Sequence, residues 1–438
     1  TGLKQDRVTA KAAQGFSKFV KGPLSLEEWC EVISQNQLHI LIFPEFGMDP
    51  MTLKLGCLRL APIQIGSSLG NAETSGLPTI DYYLSSELME PENAQEHYTE
   101  QLVKLPNLAF HYTRFAIEPK AISKKDIGIE DDEIMFWCCQ SLFKYLPQHD
   151  DIFRRIANEL AAAKFVCLGN VNENINERVS KIFRQRLGIA FEEFGLNYQN
   201  HCLFLPHNWD SQSFAGTTAI ADVYLDSIGW TGGNSSIEAI GYNVPIVTLP
   251  GELMRGRMTM AFLKMMGIEE AIASSKEEYV QLAIRLGKDA QYRQYISQLI
   301  AQNKHKLYGD LEPIRALEEF LLNAVGKEIA SINTTAIETL RLAIQEHRAN
   351  HLEKAGQAYH QVLSIQSDHP EALYGLGVLA QQKGEFIEAE KLLVAAIQVQ
   401  PDAVKIWFTL ANLRQLQGQL SAAETAYKQA LALSLIHI

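Results

Sequence analysis

The 438-residue chain has no long apolar run, no CxxC pair and no excess of basic side chains. No run approaches the roughly 18 apolar residues of a membrane-spanning helix, and no signal-peptide pattern is present. The six cysteines include an adjacent pair, Cys138 and Cys139, in an apolar stretch. Without CxxC spacing they argue against a zinc or thioredoxin-like site and indicate buried thiols in a reducing compartment. We therefore predict a cytoplasmic protein without membrane contact or a metal site.

Acidic side chains outnumber basic ones by 51 to 39, which gives a formal net charge of −12. A chain of this charge is not expected to bind nucleic acid, although a local basic pocket for a phosphate is compatible with it. Hydrophobic residues make up 47% of the chain, which is enough for ordinary globular cores. The length predicts two or three domains.

Short apolar runs separated by polar loops characterise residues 1–125. The apolar stretch at 38–43 predicts a buried strand of a parallel sheet, and the runs at 61–65 and 80–84 predict two more. We also predict a helix over residues 94–102. This zone is interpreted as one Rossmann-like lobe on the acceptor side.

Strands and helices alternate more regularly over residues 126–328. Strand candidates separated by helical segments imply parallel βαβ units in an open, doubly wound sheet. Two such domains in tandem typically bind a ligand in the cleft between them, at the carboxyl ends of the strands. The predicted strands are 134–137, 164–168, 202–205, 223–225 and 245–249.

Residues 335–433 repeat with a period of 34 residues. The recurring small residues are Gly384 with Gly418, Ala389 with Ala423, and Ala396 with Ala430. Small residues at fixed positions let paired helices approach closely, and the pattern is typical of about three tetratricopeptide repeats. An unrelated helical bundle is the alternative, but it does not explain why the period and the small residues coincide.

A glycine-rich turn joins a predicted strand to a predicted helix that begins near Ser235. Asn234 or Ser235 is expected to cap this helix, and Ser235 with Glu238 has capping-box spacing. The first helix amides favour a diphosphate, while Gly232 and Gly233 permit close backbone approach. Glu238 is placed to accept hydrogen bonds from ribose hydroxyls. A tight turn in which Glu238 only caps the helix explains the same residues equally well.

Other polar residues follow predicted strands. Lys144 is expected to face the same cleft and neutralise a departing diphosphate, or else it is a solvated helix lysine. Arg255 and Arg257 flank a glycine and suit an anion, or they belong to a charged surface loop. Residues 74–76 are a candidate for the opposite wall of the cleft, or a plain turn.

Several collinear motifs resemble the SPINDLY-type protein O-GlcNAc transferases of bacteria, a glycosyltransferase branch built on tetratricopeptide repeats. The motifs lie at residues 39–50, 58–64, 74–82, 140–147, 229–238 and 247–252. The resemblance covers about residues 1–325 together with the repeats. It implies a GT-B fold of two Rossmann-like lobes. It also implies inverting, metal-independent transfer of GlcNAc from UDP-GlcNAc, as donor substrate and without a cofactor, to Ser or Thr of a protein.

The resemblance also implies roles for individual residues. Lys144 would contact the donor diphosphate as the catalytic residue, with Gln140 near the nucleotide. Asn234 and Ser235 would contact the phosphates, and Glu238 the ribose. The full set of expected donor-binding residues is Gln140, Lys144, Gly232, Gly233, Asn234, Ser235, Glu238 and Arg257.

Some positions depart from the family pattern. Asn71 and Ala72 stand where His-Pro or Tyr-Pro is usual, and Met258 stands where bacterial relatives commonly have His. Animal members have His-Thr-Thr and Asp where this chain has Gly233-Asn-Ser and Glu238. A first-lobe histidine of those members would precede Thr1, and the repeats follow the catalytic region instead of preceding it. We therefore expect a truncated first lobe.

The sequence thus predicts a protein O-GlcNAc transferase whose acceptor peptide lies across the cleft and whose repeats bind partner proteins. A protein O-fucosyltransferase that uses GDP-fucose is an alternative, because SPINDLY relatives include that activity. A repeat scaffold with an inactive catalytic region is a second alternative.

Overall fold

The computed structural model describes residues 7–67, 73–114, 117–169, 175–206 and 210–436. The chain divides into two compact units, Thr1–Leu322 and Asn323–Ile438. The first unit contains two parallel sheets, and the second consists of helices. Within the described ranges, no helix is long and apolar enough to cross a membrane.

The first sheet has four parallel strands in sequence order. Its strands are β1 (Ile40–Phe43), β2 (Ile63–Ser67), β3 (Tyr82–Ser86) and β4 (Gln101–Leu105). The helices of this lobe are α1 (Arg7–Gln14), α2 (Leu26–Gln35) and α3 (Pro50–Gly56). Ser25 and Glu28 form a reciprocal capping box that fixes the start of α2. The three strands predicted in this zone are confirmed. Each begins two residues later than predicted, and β2 and β3 also end two residues later.

The helix predicted over residues 94–102 is wrong beyond its first turn. A 3₁₀ turn at Ala94–His97 is followed by strand β4. The Gln95 side chain accepts a hydrogen bond from the Leu102 amide at 2.9 Å and donates one to the Glu100 carbonyl at 2.8 Å. These bonds, together with pairing to β3, satisfy backbone groups that a continuing helix would have used, so tertiary pairing overrides local helix propensity.

The second sheet has five parallel strands in the order β7-β6-β5-β8-β9. They are β5 (Ile134–Cys138), β6 (Ala163–Gly169), β7 (Cys202–Pro206), β8 (Val223–Leu225) and β9 (Ile246–Val247). Each was predicted within a few residues. The strands are nearly continuous apolar runs because both faces are covered, and Phe136, Trp137 and Tyr224 are fully buried. The chain proceeds outward from β5 to β7 and then returns to place β8 on the other side of β5.

Seven helices cover this sheet within the described residues. They are α4 (Asp151–Glu159), α5 (Ile175–Glu192), α6 (Ser211–Ala219), α7 (Asn234–Gly241), α8 (Met258–Met266), α9 (Lys276–Lys288) and α10 (Ala290–Asn303). The strand order reverses between β5 and β8. In open α/β sheets ligands bind at such a reversal, outside the carboxyl ends of the strands.

The second unit is built from antiparallel helix pairs with the predicted 34-residue period. Its helices are the part of α11 (Glu312–Arg348) from Asn323 onward, and α12 (Leu352–Ile365), α13 (Pro370–Gln382), α14 (Phe386–Val399), α15 (Val404–Leu416) and α16 (Leu420–Ile436). Gly384 and Gly418 end equivalent helices with φ of +80° and +77°, and Asn350 has φ of +57° one period earlier. The recurring alanines, including Ala389 and Ala423, are buried between helices.

Candidate functional site

The candidate site lies at the strand reversal of the second lobe. The segments after β5, β8 and β9 meet there, and they carry Gln140 and Lys144, the glycine turn, and the two arginines, respectively. The sequence alone placed these residues after strands, and the sheet order places two of the strands, β5 and β8, side by side. The site therefore occupies the position where doubly wound sheets bind ligands.

A buried carboxylate, Asp226, organises the turn. It accepts hydrogen bonds from the Gly232 amide at 2.7 Å, the Thr248 hydroxyl at 2.7 Å and Gln140 Nε2 at 3.2 Å. Burial raises its pKa to about 6, and the hydrogen bonds from Gly232 and Thr248 oppose the rise. Sequence reasoning missed Asp226, although its place directly after β8 was a signal for a residue at the site.

Gln140 lies beneath the turn, not on its open side. Its side chain is 3% exposed, donates to the Tyr224 hydroxyl at 2.6 Å and accepts from the Tyr145 hydroxyl. Tyr224 in turn shares hydrogen bonds with the hydroxyls of Ser235 at 2.9 Å and Ser236 at 3.2 Å. This network holds the first turn of α7 against the end of β5.

The predicted capping arrangement of α7 is wrong. Gly233 occupies the N-cap position with φ of −111° and ψ of −92°, and no side chain in the part of the chain that the structure describes caps the helix. Asn234 is therefore already the first helical residue. The Ser235 hydroxyl bonds to Tyr224 instead of Glu238, so no capping box forms. Among the described residues no side chain caps the leading amides of α7, which leaves them for an anion.

Close packing inside the protein requires glycine at position 232, in addition to the approach of a ligand to the backbone. A Cβ at this position would collide with the hydroxyls of Ser236 and Tyr224 and lie 2.9 Å from that of Ser235. A Cβ at Gly233 would only touch the Met258 sulfur at 3.4 Å. The crowded glycine is thus Gly232, and Gly233 faces a more open space.

Lys144 stands beside the turn. Its Nζ donates to the Thr231 carbonyl at 3.3 Å and lies 5.0 Å from the centroid of the Trp230 ring. Burial lowers the pKa of the amine, and the nearby Asp226 carboxylate opposes this shift. Lys144 makes no ion pair within the described residues, so its charge is available to a ligand.

Glu238 lies one turn into α7 and is half-buried. Desolvation alone raises the pKa of its carboxyl to about 7. Within the described part of the chain its carboxylate has neither a hydrogen bond nor an ion pair. A carboxylate that is half removed from water and unpartnered can accept hydrogen bonds from ligand hydroxyls.

The two arginines after β9 have different environments. Arg257 donates from Nε to the Met89 carbonyl of the first lobe at 2.9 Å and from Nη1 to the Gly251 carbonyl at 3.1 Å. Arg255 instead forms an ion pair with Glu73 and lies 5.3 Å from the Trp230 ring centroid. Arg257 is therefore engaged with backbone, while Arg255 lies beside the turn.

Residues 74–76 are held by a buried acid, Glu100. Its carboxylate accepts from the Thr74 hydroxyl at 2.7 Å, the Ser75 amide at 2.8 Å and the Ser75 hydroxyl. These partners lower its pKa even though burial opposes them. Asn71 and Ala72 lie outside the described residues. Elsewhere in the described chain, no group of three or more His, Cys, Asp or Glu residues is arranged to hold a metal ion.

Two regions of the chain are similar to known protein families. Residues 123–309 match the model of glycosyl transferase family 41, and residues 404–437 match that of a tetratricopeptide repeat. The SPINDLY protein of Solanum lycopersicum, named as a probable UDP-N-acetylglucosamine–peptide N-acetylglucosaminyltransferase, is 28% identical over 262 residues, which are 59% of this chain and 27% of that protein. SPINDLY of Arabidopsis thaliana is 26% identical over 289 residues, 65% of this chain and 30% of its own length.

A variant of the Thermobaculum terrenum O-GlcNAc transferase is similar in structure, with a TM-score of 0.64 and 22% identity over 75% of this chain and 61% of that one. The protein thus has the two-lobed GT-B fold. A region similar to glycosyltransferase family 41 precedes one similar to a tetratricopeptide repeat. The matching segment spans about a quarter of the length of the curated relatives.

Proposed function

We propose that the protein transfers GlcNAc from UDP-GlcNAc to Ser or Thr side chains of proteins. The observation that carries the proposal is the uncapped start of α7 beside Lys144, at the strand reversal of the second lobe. A helix start with free amides next to an unpaired cation suits a diphosphate. The names of the SPINDLY relatives support UDP-GlcNAc as the donor and a peptide as the acceptor.

The chain's residues would act mainly by binding the leaving group. When the acceptor oxygen attacks the anomeric carbon, the bond to the diphosphate breaks and negative charge grows on UDP. In this proposal the amides of Asn234 and Ser235 and the ammonium of Lys144 would stabilise that charge and so lower the barrier without a metal ion. Glu238, one turn along the helix, would accept hydrogen bonds from the ribose hydroxyls.

Asp226 and Gln140 would support the site from beneath. They hold the turn through Gly232 and Tyr224 and so fix the direction of the helix amides before the donor arrives. Preorganised donors of this kind stabilise developing charge more than flexible ones do. In this proposal Gln140 positions the turn and does not itself meet the nucleotide.

The tetratricopeptide unit would recruit partner proteins. Solenoids of this class present an extended surface formed by successive helices, and their specificity comes from side chains along it. In this proposal the repeats bring the acceptor or its carrier to the enzyme. The cytoplasmic location expected from the sequence stays a prediction.

Calorimetry with UDP, GDP and UDP-GlcNAc tests the proposal. We expect UDP and UDP-GlcNAc to bind and GDP to bind at least about tenfold more weakly, a difference of about 1.4 kcal/mol. Lys144→Ala should weaken the binding of UDP by about ten- to a hundredfold, as expected for loss of a charge-assisted contact. Lys264→Ala, at an exposed position on α8, is the matched control and should change nothing.

Preference for GDP would contradict the UDP-sugar assignment and favour fucosyl transfer. Absence of nucleotide binding by the full chain would contradict both transfer activities and favour a scaffold.

A further inference from the structure

The Trp230 ring is shared by two cations. Lys144 Nζ lies 5.0 Å and Arg255 Cζ lies 5.3 Å from its centroid. The Phe143 ring meets it in a T-shaped contact with centroids 5.6 Å apart. Trp230 directly precedes Thr231 and Gly232, so both cations lie beside the turn that opens α7.

An aromatic ring holds a cation without neutralising it. The attraction to the ring quadrupole is on the order of 0.5–2 kcal/mol, and the full positive charge remains for another partner. Two like charges beside one ring repel each other, and Glu73 offsets the charge of Arg255 in this structure. A ligand with two negative charges fits this arrangement better than a ligand with one.

Backbone contacts place Arg255 beside the turn. Its carbonyl accepts hydrogen bonds from the Thr231 amide at 2.9 Å and from the Thr231 hydroxyl at 3.0 Å. Its guanidinium is paired with Glu73 of the first lobe, and the two side chains are 32% and 39% exposed. A pair that is about one-third exposed contributes little stability and can exchange partners.

We propose that Arg255 is a second cation for the donor diphosphate, positioned with Lys144 by Trp230 and paired with Glu73 until the diphosphate takes the carboxylate's place. The inference rests on the proposed function of this site and adds to it a residue that binds the phosphates and a residue that positions both cations. Arg257, which is engaged with backbone carbonyls, has no part in it.

The competing reading is that Arg255 and Glu73 only tie the two lobes together. The two hypotheses predict different effects of removing Glu73 on ligand binding. If the pair is only a tie, removing either partner breaks the same contact and weakens the site equally. If Arg255 binds phosphate, removing Glu73 frees Arg255 and removes a nearby negative charge that repels the ligand.

The test is calorimetry with UDP and UMP on the full chain. Arg255→Gln should weaken the binding of UDP about tenfold, as expected for loss of a charge-assisted hydrogen bond. It should weaken the binding of UMP less than about threefold. Glu73→Gln should bind UDP as tightly as the unmodified protein or up to about threefold more tightly. Arg285→Gln, which removes an arginine 3.5 Å from the Tyr292 ring outside the site, is the matched control.

Ring variants test the positioning role. Trp230→Leu should weaken the binding of UDP about fivefold. Trp230→Phe keeps an aromatic face for the cations and should retain most of the affinity of the unmodified protein. Thermal unfolding midpoints of all variants establish that they are folded. Equal losses in the Leu and Phe variants would overturn the role of Trp230.

Unchanged UDP affinity in Arg255→Gln, or weaker UDP binding in Glu73→Gln, would overturn the role of Arg255. Failure of the proposed function has a different signature, because the unmodified protein would then bind no UDP.

Discussion

The Gly232 amide donates a 2.7 Å hydrogen bond to the carboxylate of Asp226, a residue that is only 2% exposed. The bond fixes the backbone of the turn from inside the lobe, immediately before the start of α7. Glycine is needed at position 232 and an acceptor at position 226 for the same structural reason. The candidate site is thus built on a buried acid that itself need not touch a ligand.

Ionisation of Asp226 should make stability depend on pH. Its folded-state pKa is about 6, above the ordinary value of 3.8, because burial disfavours the charged form. The folded state therefore holds a proton between these values that the unfolded chain has lost, and stability falls as pH rises through this window. From pH 5 to pH 7.5 the loss should be about 1 kcal/mol.

Asp226→Asn removes this ionisation. Urea unfolding of the variant and the unmodified protein at the two pH values should show that the variant gains relative stability at the higher pH. A stability difference that does not change between pH 5 and pH 7.5 would contradict a raised pKa.

Adding one methyl group at Gly232 should damage the site. In Gly232→Ala the Cβ would press on Ser236 and Tyr224, which are held by their own hydrogen bonds. We expect a loss of roughly 1–3 kcal/mol in unfolding free energy, as for other overpacked positions, and UDP binding below detection. Gly241→Ala is the control, because a Cβ there meets nothing within 4 Å. Loss of stability in both variants alike would argue against the specific contact.

Glu238 should make donor binding depend on pH near neutrality. Burial raises its pKa to about 7, so it is mostly ionised at pH 8 and mostly protonated at pH 6. If the carboxylate accepts hydrogen bonds from the ribose hydroxyls, UDP should bind more weakly as the pH falls across this range. Calorimetry on Glu238→Gln supplies the control, since the titration of UDP itself is common to both proteins. Parallel pH profiles for the two proteins would exclude this role.

The repeat unit should be sensitive at the left-handed ends of its helices. Gly384 has φ of +80°, so Gly384→Ala should cost about 1 kcal/mol in local stability. Gly356→Ala, inside α12 and with nothing within 4 Å of the new Cβ, should instead stabilise by up to about 1 kcal/mol. Hydrogen exchange of the α12 to α14 amides measures both changes. Changes of the same sign in both would contradict the assigned backbone conformations.

The sequence predicted the features that depend on short-range pattern. Apolar runs located the described strands of both sheets except β4, which fell partly in a predicted helix, and the recurrence of Gly384 as Gly418 located the repeats. Position after a strand was enough to bring Lys144 and the glycine turn to one place, because parallel strands end at one edge. The predicted participation of these residues in donor binding stays a prediction.

Features that depend on long-range packing could not be read from the pattern. The capping-box spacing of Ser235 and Glu238 predicted a cap. In the structure the Ser235 hydroxyl forms its hydrogen bond with the hydroxyl of Tyr224, which lies on strand β8. Two arginines two residues apart look equivalent in sequence, yet Arg257 contacts Met89 while Arg255 lies by the turn. The predicted helix at 94–102 failed for the same reason.

A crystal structure of the full chain with UDP tests the account's central claim most directly. The account predicts that the diphosphate oxygens lie within hydrogen-bond distance, about 2.7–3.2 Å, of the Asn234 and Ser235 amides and of Lys144 Nζ. UDP bound away from the start of α7, with Lys144 still directed at the Thr231 carbonyl, would contradict it.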